Sequence, residues 1–426
     1  MTTIANIYDK FKSCKGFTTD TRMIKHGQMF FCLKGANFNG NKFATEALKK
    51  GAQYVIIDEE EYQSDKRMIL VDDVLKCMQE LANYHRKQFD IPVLGITGTN
   101  GKTTTKELVH AVLSRKYKTH ATAGNFNNHI GVPMTLLSMP ADTEFAIIEM
   151  GANHLGEIAE LCEISEPNFG LITSIGKAHL EGFGDLQGVI NTKNELYKSI
   201  LKTDGKLFVN ADNNLLMELS SKAKRMTYGQ SERADVNAKL IVKEAFVGAK
   251  WKQTEIITQL VGSYNFDNMM AAICLGKAFE VPKDEIINAL RTYTPQNQRS
   301  QLMTTAKNKI VVDAYNANPT SMAAALDSFK LAEANEKLLI LGDMLELGKE
   351  SQIEHMSIVE KLKNMEFEDV ILVGPEFVSI AEDSGFRCFE KNTEALAYLK
   401  EHPVDGKLIL LKGSRGIALE MLLEVL

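Results

Sequence analysis

The sequence predicts an α/β protein of three domains, the last two of Rossmann-like character. Three observations predict it. Apolar runs of strand length recur along the chain, as in PVLGIT (92–97) and KLLILGD (337–343), and strands buried on both faces of a parallel sheet read this way. Glycine or polar turns follow these runs, then helical patterns such as ELVHAVLSRKY, and that alternation implies a parallel sheet with helices on both sides. Two polar, proline-containing breaks, QFDIP near residue 90 and TYTPQNQRSQ at 292–301, divide the chain. A length of 426 residues agrees, since it allows roughly two to four domains.

The elements follow in order. Residues 1–90 carry strand runs MFFCL (29–33), YVIID (54–58) and MILV (68–71). A helix is then expected from Asp73 to Gln88, with Val74, Leu75, Met78, Leu81 and Ala82 at helical spacing. Pro92 disfavours helical geometry at Ile91 and sets the first boundary. Residues 91–298 are expected to alternate strand and helix, with strands PVLGIT, FAIIEM (145–150), FGLITSI (169–175) and KLFVN (206–210). Residues 299–426 form a second α/β set with strands KIVVDAY (309–315), KLLILGD, DVILVG (369–374) and KLILLKG (407–413).

Composition excludes several classes. Hydrophobic residues make up 44% and charged residues 24%, ordinary for a soluble globular chain. The net charge is −6 and no basic stripe is visible, which argues against nucleic acid as a partner. No apolar stretch reaches the ~18 residues of a transmembrane helix, and MTTIANIYDKFKSCKGF lacks a signal-peptide core. A cytoplasmic protein without membrane insertion is expected. The six cysteines are scattered without a CxxC pair, which suits a reducing compartment.

Chemistry concentrates at strand ends, where open α/β sheets bind ligands. Residues 95–105, GITGTNGKTTT, lie between a strand and a helix but miss the usual P-loop spacing, because Ile96 stands where the first glycine belongs. Gly98 and Gly101 permit backbone angles that let successive N–H groups converge on an anion. Lys102 can reach terminal phosphates and the Thr103 hydroxyl can ligate Mg²⁺. The plainer alternative is a tight turn with a surface lysine. Glu149 closes FAIIEM and is either a metal carboxylate or a strand-end glutamate satisfied by solvent. His179, in GKAHLEGFG, is either a metal ligand or a packed histidine. Asp313 can accept from a ribose hydroxyl and Tyr315 can stack on a base. Asn316 and Asn318 read as turn and helix-capping residues, since Pro319 and a helical pattern follow.

These residues resemble the Mur ligase superfamily, whose ATP loop has its own pattern: GITGTNGKTTTKE matches it. Further similar stretches are GNFNNHIGVPMTLL (124–137), EMGANHLGEI (149–158), IGKAHLEGFG (175–184), DAYNANPTSM (313–322), LGDMLELG (341–348) and LKGSRG (411–416). TTDTRMIKHGQMFFCLKGANFNG (18–40) resembles the family's N-terminal uridine-nucleotide-binding domain. The resemblance implies that domain at 1–90, a central P-loop-type ATPase domain with a mainly parallel sheet at 91–298, and a C-terminal Rossmann-like domain at 299–426. It implies an ATP-dependent ligase, monomeric, that joins D-alanyl-D-alanine to UDP-N-acetylmuramoyl-tripeptide through an acyl phosphate. A substrate-reading Asp-Asn-Pro-Arg motif of a neighbouring branch is absent.

Residue roles follow from the same resemblance. ATP would be held by Gly98, Thr99, Asn100, Gly101, Lys102, Thr103 and Thr104, by Asn265 and Tyr315 at adenine and by Asp313 at ribose. Thr103 and Glu149 would ligate one Mg²⁺ and His179 a second, with Lys193 carbamylated as a further ligand. Lys102, His179 and Lys193 would form the catalytic set. Thr21 and Arg22 would meet the uridine-diphosphate end, and Asn127, Asn128, Lys412 and Arg415 the other substrate groups. Many members carry His where this chain has Tyr264, and Ser where it has Thr21. Within the superfamily a rival is a folylpolyglutamate synthase, which lacks the uridine module. Outside it the rival is a nucleotide-binding regulatory module, which need not keep Glu149, His179 and Lys193 together.

Overall fold

Apolar runs and turn residues place most strands where the sequence predicts them. The computed structural model describes residues 3–295, 299–334, 336–381 and 384–426, so residues 296–298 of the expected linker lie outside the described residues. The chain divides into two compact units. One comprises residues 1–95, 118–151 and 157–168; the other comprises 96–117, 152–156 and 169–426.

The first unit opens with a parallel four-stranded sheet of β1 (Phe17–Thr18), β2 (Met29–Phe31), β3 (Tyr54–Ile57) and β4 (Met68–Leu70), in that order. Helix α1 (Val74–Arg86) starts at Asp73, whose carboxylate accepts from the Lys76 N–H as an N-cap. Its buried face holds Val74, Met78, Leu81 and Ala82 as expected, but also Cys77 and Arg86, while Leu75 is only half-buried. Arg86 is tolerated inside because its guanidinium donates to the carbonyls of Phe89, Ser165 and Glu166. Strand β5 (Val93–Thr97) begins in this unit. Parallel strands β6 (Thr119–Ala121) and β7 (Phe145–Glu149) pair, and all five residues of β7 are buried.

The second unit takes up the end of β5 and helix α2 (Lys102–Leu113). A parallel run follows: β8 (Phe169–Ile172), β9 (Lys206–Asn210), β10 (Lys224–Gly229) and β11 (Val236–Asn237). Between β8 and β9 lie α3 (Leu180–Phe183) and α4 (Leu186–Lys202). Strand–helix alternation then stops, contrary to expectation. Residues 239–261 form an antiparallel meander of β12 (Lys239–Lys243), β13 (Phe246–Trp251) and β14 (Thr254–Val261), before helix α5 (Asn265–Ala278).

The meander is the edge of a nine-stranded sheet that continues into the C-terminal part. The remaining strands are β15 (Gln301–Thr304), β16 (Lys309–Asp313), β17 (Lys337–Gly342), β18 (Val370–Val373), β19 (Arg387–Phe389) and β20 (Leu408–Lys412), with helices α6 (Pro319–Leu331), α7 (Ser351–Asn364) and α8 (Pro375–Ala381) among them. The order is β12-β13-β14-β15-β16-β20-β17-β18-β19. From β16 onward the pairing is parallel, and β20 lies between β16 and β17. Strand order therefore switches beside β16 and β20, the place where open α/β sheets bind ligands. Asp313 and Lys412 end these two strands in direct register.

Candidate active site

The Gly98–Thr104 turn is shaped by its glycines and by the end of β8. Gly98 has φ +147° and Gly101 φ +82°. A Cβ on Gly98 would stand 2.0 Å from Thr173 Oγ1, and one on Gly101 2.5 Å from Asn268 Oδ1. Glycine is therefore required at both positions by conformation and by space. Thr99 Oγ1 donates to the Gly176 carbonyl (3.1 Å), tying the turn to the loop after β8. Helix α2 begins at Lys102, and its N-cap is Gly101, which has no side chain to cap with; helix N-termini of this kind suit an anion. Thr103 and Thr104 are buried. Lys102 folds back, its Nζ donating to the carbonyls of Gly98 (2.7 Å) and Thr99 (3.1 Å).

His179 and Lys193 belong to the same neighbourhood. His179 precedes α3 in the left-handed region, with φ 50°. Burial lowers its pKa below the ordinary imidazole value, the Glu346 carboxylate pushes back, and the charges of Lys102 and Lys193 add to the lowering. Its Nδ1 lies 2.5 Å from Glu346 Oε2, at ion-pair distance. Glu346 is itself left-handed, with φ 64°. Lys193 is buried on α4, its ammonium 5.4 Å from the Phe183 ring centroid. Lys177, two residues before His179, pairs with the buried Glu354 of α7 at 2.6 Å.

At the strand switch, Lys412 Nζ donates to Asp313 Oδ2 (2.6 Å), and the Ser300 N–H reaches Asp313 Oδ1 (3.3 Å). Lys412 is buried, so its charge is compensated by Asp313. Two guanidinium groups lie over the Tyr315 ring, Arg299 at 3.8 Å from its centroid and the exposed Arg415 at 5.7 Å. Arg299 Nε is buried without a hydrogen-bond partner among the described residues, a donor available to an anion. Asn265 is buried at the start of α5. Its amide donates to the Val261 carbonyl (2.8 Å) and its Oδ1 accepts from Asn268 (2.8 Å).

The first unit carries the remaining candidates. Glu149 is buried at the end of β7, and Asn127 Nδ2 donates to its Oε1 at 2.8 Å. Asn127 thus fixes a carboxylate, a role its sequence position did not disclose. Asn128 Oδ1 accepts from the N–H groups of Ile130 and Gly131, ordering the turn before a short helix. Thr21 and Arg22 lie in a single 3₁₀ turn, where the exposed Arg22 grips Asp20 through two nitrogens. Sequence reasoning also left Glu346, Arg299 and the Asn100–Asn318 amide pair without roles. For Glu346 the signal was on view, since LGDMLELG was one of the matching stretches.

The donor chemistry bears on magnesium, which prefers oxygen ligands. Thr103 and Glu149 offer oxygen from buried positions. His179, lowered by burial and two lysines, favours the neutral form that can ligate a metal. An unmodified ammonium on Lys193 carries the wrong charge to sit beside a metal cation. A carbamate there would supply oxygens and reverse the charge, so Thr103, His179 and Lys193, all of the second unit, fit magnesium with that modification.

A glycine turn between a buried strand and a helix, with a lysine at the first helical position, defines a nucleotide-phosphate-binding α/β protein. The chain belongs to the Mur ligase family. Residues 13–86 match the Mur ligase family catalytic domain, 96–276 the Mur ligase middle domain, and 298–415 the Mur ligase glutamate ligase domain. The fold is accordingly three α/β domains with mainly parallel sheets. The UDP-N-acetylmuramoyl-tripeptide–D-alanyl-D-alanine ligase of Bacillus subtilis is 35% identical, over 99% of this chain and 95% of that relative. MurF from Acinetobacter baumannii superposes with a TM-score of 0.88 at 28% identity, covering 99% of this chain and 98% of the other. MurF ligase from Thermotoga maritima in complex with ADP gives 0.87 at 26% identity, over 98% and 97%. Among the described residues no helix is long and apolar enough to cross a membrane.

Proposed function

We propose that the chain is an ATP-dependent ligase that joins D-alanyl-D-alanine to UDP-N-acetylmuramoyl-tripeptide in peptidoglycan precursor synthesis, and that it works as a cytoplasmic monomer with domains at 1–90, 91–298 and 299–426. What carries the reading is the Gly98–Thr104 cradle on a chain aligned almost end to end with ligases of that name. The relatives' name supplies the acceptor and the amine; the cradle supplies a place for the triphosphate.

The reaction must bring two anions together. A terminal carboxylate oxygen of the tripeptide attacks the γ-phosphorus of ATP, and the bond from that phosphorus to the β–γ bridging oxygen breaks. ADP leaves and an acyl phosphate forms. The neutral amine of D-alanyl-D-alanine adds to the acyl carbon; the tetrahedral intermediate expels phosphate, and an amide and a proton result. Backbone N–H groups of the turn and Lys102 stabilise charge on the phosphates. Lys102 must leave the Gly98 and Thr99 carbonyls to do so, a movement that exchanges two neutral acceptors for charged ones.

Asp313 receives the ribose, with Lys412 acting through it. Asn265 and Tyr315 border adenine, Arg415 and Arg299 the anionic groups near Tyr315. Thr21, Arg22, Asn127 and Asn128 serve the nucleotide-peptide. Two magnesium ions would draw on Thr103, His179 and a carbamylated Lys193, and for Glu149 the assignment rests on sequence. When bound, the metal supplies Lewis-acid charge neutralisation on phosphoryl oxygens.

The test is a phosphate-release assay with D-alanyl-D-alanine and tripeptide acceptors bearing lysine or diaminopimelate at the third position. Release that needs both the acceptor and the dipeptide is expected. A Lys102→Ala variant is expected to lose roughly 10²–10³-fold in kcat/KM. Undiminished ligation by that variant overturns the site, and release without dependence on the dipeptide overturns the reaction.

A further inference from the structure

Helix α6 begins against the phosphate turn, and its capping residue has a second engagement. Asn318 Oδ1 accepts from the Ser321 N–H (2.9 Å) and the Ser321 hydroxyl accepts from the Asn318 N–H (3.1 Å), a closed capping box. The two ends of an amide are told apart by their partners. Here the cap fixes the choice, because only an oxygen can accept from Ser321. The Nδ2 group is thereby aimed elsewhere, and it donates to Asn100 Oδ1 at 2.8 Å. Asn100 Nδ2 returns a bond to Asn318 Oδ1 at 3.3 Å. Two residues 218 positions apart in sequence thus form a reciprocal amide pair.

The rest of Asn100 is committed as well. Its N–H donates to Ser174 Oγ (3.0 Å), and its carbonyl accepts from Thr173 Oγ1 (2.6 Å) and Ser174 Oγ (3.1 Å). Every polar atom of Asn100 therefore has a protein partner. The next residues of α6 fit the same wall, since a Cβ on Gly176 would stand 2.6 Å from Thr320 Oγ1.

We propose that Asn318 is a positioning residue for ATP: through Asn100 it holds the turn between Gly98 and Gly101 in the shape in which its N–H groups converge. Asn100 then acts by fixing the turn, not by touching phosphate. The proposal rests on the reading of Gly98–Thr104 as the phosphate site. It ties nucleotide affinity to the first turn of α6, in the C-terminal part of the chain.

The experiment is calorimetric titration of the full chain with Mg²⁺ and the β,γ-imido analogue of ATP, alongside thermal unfolding. Serine caps helices about as well as asparagine, but it has no second polar atom to reach Asn100. Asn318→Ser is expected to raise Kd roughly 10-fold, the worth of two ordinary hydrogen bonds, with an unfolding midpoint near wild type. Asn318→Ala is expected to weaken binding equally and also to lower the midpoint, because the cap is lost. The double variant Asn100→Ala/Asn318→Ser is expected to bind no more weakly than the worse single variant. If Asn318→Ser binds like wild type while Lys102→Ala is impaired, the positioning role is overturned and the phosphate site stands. If Lys102→Ala also binds like wild type, the phosphate site and the positioning role fall together.

Discussion

Single buried charges set the energetic stakes in the second unit, and two of them pull in opposite directions. Lys412 is compensated by Asp313 across adjacent parallel strands. Removing one member of a buried pair strands the other charge, whereas removing both can be nearly neutral. Lys412→Met is therefore expected to destabilise by about 3 kcal/mol, and adding Asp313→Leu to restore part of that; urea denaturation reads both. A Lys412→Met protein as stable as wild type would show the pair to be idle. Asp267, half-buried in the first turn of α5, has no basic partner among the described residues. Burial lifts its pKa from 3.8 to about 6, Asp212 pushes the same way, and a hydrogen bond from Asn210 opposes. A raised carboxylate pKa means the native state holds its proton after the unfolded chain has lost it. Stability is then greatest below 3.8 and falls as pH rises to about 6, above which the loss is complete. Asp267→Asn removes that dependence. It is expected to be more stable than wild type by about 2 kcal/mol at pH 8 and to lose the advantage at pH 4, which urea denaturation at the two pH values checks.

Elements transmit these local facts into a site, and the phosphate turn shows how. Its shape comes from two glycines, from hydroxyls at the end of β8 and from the cap of α6. Gly98→Ala would place a Cβ on Thr173 Oγ1 in a backbone conformation that alanine rarely adopts. Affinity for ATP is expected to be lost, and adding Thr173→Ala is not expected to rescue it, because the backbone strain remains; titration of both variants decides. What was legible in the sequence follows the range of the interactions. The turn itself could be read because strand, glycines, lysine and helix are contiguous. The Asn318 cap could be read because Asn-Pro before a helix is a local signal. The amide pair to Asn100, the Asn127 bond to Glu149 and the Lys412–Asp313 pair could not, since each depends on register between distant segments. The meander at 239–261 gave no such signal: IVKEAFVGAKWKQTEIITQLV holds no proline and one glycine, and its turns fall at Glu244 and Lys252, left-handed residues of types that do not announce a turn. Expecting strand–helix alternation to continue hid it.

At the scale of the whole molecule the proposed chemistry makes a demand that no single side chain can meet. The carboxylate to be activated arrives on one substrate, the phosphoryl group on another and the amine on a third, and the acyl phosphate between the two steps is destroyed by water. An enzyme that truly activates the carboxylate transfers one of that group's oxygens to phosphorus. When the amine displaces phosphate, the acyl C–O bond breaks and the oxygen stays with phosphorus. A tripeptide acceptor carrying ¹⁸O in its terminal carboxylate is therefore expected to give inorganic phosphate bearing one ¹⁸O atom, and ligated product retaining the other. Mass spectrometry of the released phosphate reads this without assuming any residue's role. Unlabelled phosphate formed alongside ligated product would mean that ATP is cleaved by water and that amide formation takes another route. Labelled phosphate in the absence of D-alanyl-D-alanine would mean that the acyl phosphate forms but is not shielded, and would locate the defect in water exclusion and not in phosphoryl transfer.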